Sequence, residues 1–196
     1  MINTVVFDIG NVLADFDWGE YIKELVPIDI YPIIKKAMFS EFWNETDRGV
    51  LTDEELIRGF TERAGGYESE IRLAYDEIGR SLCQFDYAIP WIKELRSRGL
   101  RVLYLSNYSY HSMRANPEVL SFTEYMDGGI FSCEVHITKP DAAIYEALFR
   151  KYSLTPSECV FIDDNPANIT AARRLGMTAI RFENYADTHE QLEKLI

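Results

Sequence analysis

Four short apolar runs, each closing on a polar or small residue, constrain this chain more than anything else in it. They are Thr4-Val5-Val6-Phe7, Val102-Leu103-Tyr104-Leu105, Val160-Phe161-Ile162 and Thr178-Ala179-Ile180, with a weaker fifth at Gly129-Ile130-Phe131. Runs of that length, rich in β-branched residues, read as strands buried on both faces. Three of them pass directly into Asp8, Ser106 and Asp163. Between the later runs lie helical spacings: Ile92 and Leu95 after Pro90, Ile144, Leu148 and Tyr152 after Asp141, and Ile169, Ala172 and Leu175 after Pro166. Gly99 and Gly176 follow the first and third of these as helix stops. Strands alternating with helices predict an α/β fold built on a doubly wound parallel sheet. Ligands of such sheets sit at the carboxyl ends of the strands. Asp8, Ser106 and Asp163 are therefore expected along one edge.

The interval from Asp15 to Phe85 has a different texture. It offers no convincing strand, but Thr52-Asp53-Glu54-Glu55 has the form of a capping box ahead of Leu56, Ile57, Phe60 and Ala64. Ile71, Ala74, Tyr75, Ile78 and Leu82 also recur at helical spacing. Sixteen acidic against eight basic side chains leave this interval at −8. These features predict a helical insertion, a cap spanning 15–85, set into a core made of 1–14 and 86–196.

Charge narrows the functions open to the chain. With 20 Lys and Arg against 32 Asp and Glu, the formal charge is −12. A field of that sign opposes nucleic acid and anionic membranes, so any bound anion must meet a local pocket of cations or N–H groups. No apolar run approaches the roughly 20 residues that cross a bilayer. The first residues lack the basic start of a secretory leader, and their apolar stretch stops at Asp8. Cys83, Cys133 and Cys159 are odd in number and far apart, which predicts reduced thiols and a cytoplasmic protein. His111, His136 and His189 are isolated, and the chain has neither a G-x-S-x-G elbow nor a Walker-type phosphate loop.

Singly, each strand-end residue has an ordinary structural explanation: an Asp there can cap a helix, and a Ser-Asn pair can make a turn. Their order in the chain is more specific. Val6-Phe7-Asp8-Ile9-Gly10-Asn11-Val12, Leu105-Ser106-Asn107, Lys139-Pro140 and Phe161-Ile162-Asp163-Asp164-Asn165 follow one another with a helical insertion after the first. This arrangement resembles the haloacid dehalogenase superfamily of hydrolases over nearly the whole chain. The insertion looks like the small cap of that superfamily's first subclass. Together with Asp47-Arg48-Gly49, the motifs look most like those of bacterial sugar-phosphate phosphatases, especially of the α-D-glucose 1-phosphate type.

The resemblance implies a Rossmann-like core and Mg²⁺-dependent hydrolysis of a small phosphorylated metabolite by a monomer or weak homodimer. Asp8 is implied as the nucleophile that forms an aspartyl phosphate. Attack by a carboxylate on a phosphate dianion is opposed by charge: two unit charges ~4 Å apart repel by about 4 kcal/mol at an effective dielectric near 20. A divalent cation relieves this. Its implied ligands are the Asp8 carboxylate, the Gly10 carbonyl and Asp164, with Asp163 acting through water. Lys139 would face the phosphoryl group and hold Asp8 ionised. Ser106 and the Asn107 amide would donate to phosphoryl oxygens. In the cap, Arg48 is the expected substrate contact, with Trp43, Phe42 and Phe16 as surfaces for a sugar ring. Tyr108 and His111 are further candidates for the pocket wall.

One position departs from the pattern. Most phosphatases of the superfamily carry a second Asp two residues after the nucleophile as general acid and base, and here that residue is Gly10. Asp15 and Asp17 are the nearby carboxyls that could take its place. A sugar 1-phosphate, with its better leaving oxygen, would need less help. Two other readings share the motifs: a dehalogenase, which attacks carbon without Mg²⁺, and a phosphate-binding module that has lost its chemistry at Gly10.

Overall fold

Seven strands form in the computed structural model, which describes residues 1–196: β1 (Thr4–Phe7), β2 (Ala14–Phe16), β3 (Leu82–Gln84), β4 (Arg101–Ser106), β5 (Gly129–Phe131), β6 (Cys159–Asp163) and β7 (Thr178–Arg181). Five of them make one parallel sheet in the order β5-β4-β1-β6-β7. The five apolar runs are these five strands. β1 lies in the middle, with Phe7 paired to Tyr104 on one side and Ile162 on the other. The order reverses at β1, so the carboxyl ends of β1, β4 and β6 open into one crevice.

Successive strand residues face opposite sides of the sheet, and each side has its own core. Val5, Phe7, Val102, Val160 and Ile162 pack under the helix Ala88–Ser97, the helix Tyr185–Glu193 and the 3₁₀ segment Pro117–Tyr125. Val6, Leu103, Leu105, Ile130 and Phe161 pack against the helices Ala142–Tyr152 and Pro166–Arg174. Numbered in chain order, the helices are α1 (Trp18–Leu25), α2 (Tyr31–Met38), α3 (Trp43–Arg48), α4 (Asp53–Ala64), α5 (Glu68–Asp76), α6 (Ala88–Ser97), α7 (Tyr110–Ala115), α8 (Ser132–Val135), α9 (Ala142–Tyr152), α10 (Pro166–Arg174) and α11 (Tyr185–Glu193). Gly99 and Gly176 do take positive φ, +82° and +90°, past the ends of α6 and α10. α9 instead ends on Ser153 in the left-handed region.

Helices α1–α5 gather around a separate apolar centre that includes Trp18, Ile22, Ile34, Phe60, Ile71 and Tyr75. The capping box forms as read: the Thr52 N–H donates to Glu55 Oε2 at 2.8 Å, and the Glu55 N–H donates to Thr52 Oγ1 at 3.3 Å. The expectation that no strand occurs in this interval is corrected at its two ends. β2 and β3 pair antiparallel, Asp15 opposite Cys83, where the chain leaves and re-enters the sheet region. Three-residue strands are too short to show a period of two, so nothing in the local sequence announces them.

The helical unit seats on the sheet through α3. Ser132 Oγ, on α8, donates to the Asp47 carbonyl at 2.6 Å. Gly49 ends α3 with φ +63°, and a Cβ there would lie 2.8 Å from the Cys133 Cβ. Only glycine permits both that turn and that approach. A second contact joins Arg114 on α7 to Asp53 at the start of α4, at 2.8 Å. No helix is long and apolar enough to cross a membrane.

Candidate active site

The Lys139 ammonium lies between two carboxylates in the crevice, 2.8 Å from Asp8 Oδ1 and 2.7 Å from Asp163 Oδ2. Each of the three arrives by a different route. Asp8 is the first residue past β1, and its Oδ1 also accepts the Ile9 N–H at 2.7 Å, while no hydrogen bond is made to Oδ2. Asp163 ends β6. Lys139 sits on a loop, pinned by Asn107: its N–H donates to Asn107 Oδ1 at 2.8 Å, and Asn107 Nδ2 donates to its carbonyl at 3.0 Å.

Asp163 is saturated and fully buried, with 0% exposure. Its Oδ1 accepts the Asn165 N–H at 2.8 Å and Asn168 Nδ2 at 3.1 Å, and its Oδ2 accepts Lys139 and, at 3.0 Å, Asn168 Nδ2 again. Asp164 is partly exposed, and its carboxylate accepts only Asn11 Nδ2, at 3.0 Å, while its backbone carbonyl accepts Arg181 Nε at 3.3 Å. Carboxylate oxygens of Asp8, Asp163 and Asp164 all lie within 4.8 Å of one another. Two carboxylates thus share one ammonium and a third stands close by, an arrangement short of positive charge. Burial pushes the Asp8 carboxyl up, Lys139 opposes this, and Asp163 adds to it; the result is about 7. For Lys139, burial disfavours the ammonium, but the Asp8 and Asp163 charges outweigh it and hold the group above its usual value. A divalent cation bound by hard oxygen ligands suits such a donor set.

A cleft of about 420 Å³ opens over this cluster. Its core side carries Asp8, Gly10, Asn11, Ser106, Asn107, Tyr108, Lys139 and Asp164. Across from them stand Phe16, Phe39, Trp43 and Asp47. Ser106 is almost wholly buried, and its hydroxyl makes no hydrogen bond within the protein.

The sequence-based candidates divide here. Asp8, Gly10, Ser106, Asn107, Lys139 and Asp164 line the cleft, and Asp163 braces Lys139 from behind. Phe16, Trp43 and Tyr108 line it as well. Arg48 does not. Its Nη1 pairs with Glu45 at 3.2 Å and its Nε donates to the His136 carbonyl at 3.4 Å, in the seam between the helical unit and the sheet. A helix turns about 100° per residue, so the neighbouring Asp47 faces the cleft while Arg48 faces away. Phe42 packs inside the helical unit, 5.2 Å from the Phe60 ring and 3.9 Å from the Arg63 guanidinium. His111 is held away from the cleft by the Tyr75 carbonyl, 2.8 Å from its Nε2. Asp15 lies on β2, and Asp17 opens onto an outer surface depression with Glu20 and Arg80. Neither reaches Asp8's cleft.

Among the cleft residues that the sequence reading gave no role are Phe39, Asn168 and Asp47, the last quoted only within the cap segment Asp47-Arg48-Gly49. Phe39 resembles any other apolar residue of a helix end. Asn168 looks like an ordinary polar helix position, although it follows Asp163 by five residues and so turns back onto it. Asp47 sits in an acid-rich interval whose charges read as solvated.

A family model for haloacid dehalogenase-like hydrolases matches residues 2–176. The chain belongs to that family. Among the relatives of this hydrolase is the D-ribitol-5-phosphate phosphatase of Bacteroides thetaiotaomicron, 25% identical over 218 residues, which cover 100% of this chain and 99% of that one. The sesquiterpene phosphatase astK of Aspergillus oryzae is 25% identical, with 97% and 95% of the two chains covered. The drimenol cyclase drtB of Aspergillus calidoustus is 27% identical over all of this hydrolase, which spans 37% of that longer protein. In structure, a haloacid dehalogenase family enzyme from B. thetaiotaomicron, solved with magnesium and inorganic phosphate, superposes with a TM-score of 0.74 at 23% identity, covering 96% of this chain and 99% of that one. An L-2-haloacid dehalogenase from Xanthobacter autotrophicus superposes with a TM-score of 0.68 at 19% identity, covering 94% and 79%. Sequence identity this low shows a shared fold and no more.

Proposed function

We propose that this hydrolase is a Mg²⁺-dependent phosphatase that cleaves a small phosphomonoester, a sugar or polyol phosphate, through an aspartyl phosphate on Asp8. The observation that carries the reading is the Lys139 ammonium bridging Asp8 and Asp163 beside a third carboxylate. A nucleophile that attacks neutral carbon has no use for that much negative charge. One that meets a phosphate dianion beside a divalent cation does.

Asp8, the Gly10 carbonyl and Asp164 would hold the metal, and Asp163, with both oxygens already engaged, would act on it only through water. Bound there, Mg²⁺ supplies charge neutralisation for the phosphoryl group. The chain's own residues do the rest. Lys139 favours the Asp8 anion against the effect of burial and would offer its charge to a phosphoryl oxygen. Ser106, whose unengaged hydroxyl lines the cleft, would donate to a phosphoryl oxygen as well. Asn107 holds the Lys139 backbone, and Asp163 and Asn168 hold its ammonium, so the cation is placed before substrate arrives.

Support for the substrate class comes from the cleft and from one relative. Polar side chains surround Asp8, while Phe16, Phe39 and Trp43 offer a ring-sized apolar wall opposite. A sugar or polyol presents both hydroxyls and a C–H face to such a site. The relative of nearly the same length from B. thetaiotaomicron is named for ribitol 5-phosphate. Three free thiols support a cytoplasmic setting.

The test is a phosphate-release screen over sugar, polyol, nucleotide and amino-acid phosphates, α-D-glucose 1-phosphate and ribitol 5-phosphate included. It is run with Mg²⁺ and with chelator. Turnover that needs Mg²⁺ and favours sugar or polyol phosphates is expected. Turnover of a 2-haloacid that survives chelation, or phosphate binding with no hydrolysis across the panel, overturns the proposal.

A further inference from the structure

Breaking a phosphate ester of an ordinary alcohol leaves an alkoxide unless a proton is delivered, and two residues past Asp8 the chain has Gly10, which has none to give. One carboxyl of the helical unit lines the same cleft. Asp47, near the end of α3, is 8% exposed and lines the same cleft as Asp8, Lys139 and Ser106. Its backbone is fixed by the Ser132 hydroxyl at 2.6 Å and by the left-handed turn at Gly49. Its side chain takes no hydrogen bond. A buried carboxylate without donors is costly, so such a group holds its proton to higher pH than an exposed one. It also stands on α3 of the helical unit, whereas Asp8, Lys139 and Ser106, which would grip the phosphoryl end, stand on the core.

We propose that Asp47 is the general acid and base of this site, standing in for the side chain missing at Gly10. The role rests on the phosphatase reading above. In the first step an Asp8 oxygen forms a bond to phosphorus and the bond from phosphorus to the ester oxygen breaks. The electron pair goes to that oxygen, and the Asp47 proton joins it to give the neutral alcohol. In the second step a water oxygen bonds to phosphorus, its proton passes to the Asp47 carboxylate, and the Asp8–phosphorus bond breaks with its electrons returning to Asp8. The sum is ester plus water to alcohol plus phosphate, with both carboxyls restored.

Titration agrees with this geometry. Burial raises the Asp47 carboxyl, Lys139 opposes it in part, and the balance is about 7. The other groups around it are Asp8, Asp164 and Tyr108 across the cleft, the Cys133 thiol on α8, and Arg48 and Glu45 on its own helix. An acid that titrates near 7 is half-armed at neutral pH, the range in which proton transfer is most efficient.

The experiment compares Asp47→Asn with wild type in Mg²⁺ on two esters, the best sugar or polyol phosphate of the screen and 2,4-dinitrophenyl phosphate. The phenolate of the second leaves without a proton. We expect kcat/KM on the sugar or polyol phosphate to fall by about 10²–10⁴-fold, and on the activated ester by less than about tenfold. The alkaline fall of the wild-type profile near pH 7 should vanish in the variant. Asp47→Ala, measured alongside, must show the same split, and retained turnover of the activated ester shows that either variant is folded. Equal losses on the two esters, or an unchanged pH profile, refute the role of Asp47 and leave the phosphatase reading intact. Wild-type protein that hydrolyses neither ester refutes both.

Discussion

Replacing Asp47 by Asn should stabilise this protein at neutral pH, by an amount that follows from where the carboxyl sits. Burial lifts its pKa from an ordinary 3.8 to about 7. Between those values the unfolded chain gives up the proton while the folded chain keeps it. Stability therefore falls as pH rises through that window, by about 1.36 kcal/mol per pH unit, and roughly three units amount to about 4 kcal/mol. Asparagine has nearly the shape of the protonated acid and no proton to lose. Variant and wild type should be equally stable near about pH 4, and the variant ahead by up to about 4 kcal/mol near about pH 8. Urea unfolding in chelator, followed by tryptophan fluorescence, measures this: Trp18 and Trp43 report the helical unit and Trp91 the sheet. A stability difference that does not change with pH, or a variant weaker than wild type near pH 8, would refute the reasoning. Stability gained where chemistry is lost is a usual mark of a functional residue.

Other substitutions test the rest of the arrangement. Lys139→Met removes the cation from between two buried carboxylates and should cost about 3–5 kcal/mol in urea unfolding. Part of that loss should return when Asp163→Asn is added, since the two residues share one contact. Turnover by Lys139→Met should fall at least about 10²–10³-fold in the phosphate-release assay. Gly49→Ala meets both a left-handed backbone and the Cys133 side chain; the backbone alone costs about 1–2 kcal/mol, and a lowered melting temperature together with lower kcat is expected. Arg48→Ala, which breaks a half-exposed pair with Glu45 and a long hydrogen bond to the His136 carbonyl outside the cleft, should change kcat and KM by less than about threefold.

How far these features could be read from the chain depended on whether they were local. The five sheet strands were legible because strands buried on both faces must be apolar throughout, and Asp8, Ser106 and Asp163 were legible because they end three of them. Lys139 was placed only by its motif, since no period marks a loop lysine. Asp15 and Asp17 looked promising through closeness in sequence to Asp8, but neighbours along an extended chain face opposite ways, and it is Phe16 between them that lines the cleft. Arg48 and Asp47 show the limit most plainly. Both belong to one polar stretch of a short helix, and which of them enters the site is decided by how α3 docks on α8. That docking is a tertiary contact through Ser132, Cys133 and Gly49, and no spacing within the helix reveals it.

The central claim is that Asp8 bonds to phosphorus. It is tested most directly by mixing protein, Mg²⁺ and substrate, quenching in acid within the first turnover, and locating any phosphoryl group by peptide mass spectrometry. The account predicts one phosphoryl group on the peptide carrying Asp8, absent in chelator and absent from Asp8→Asn. Rapid hydrolysis with no phosphoryl group on Asp8, or an Asp8→Asn protein as active as wild type, would contradict it.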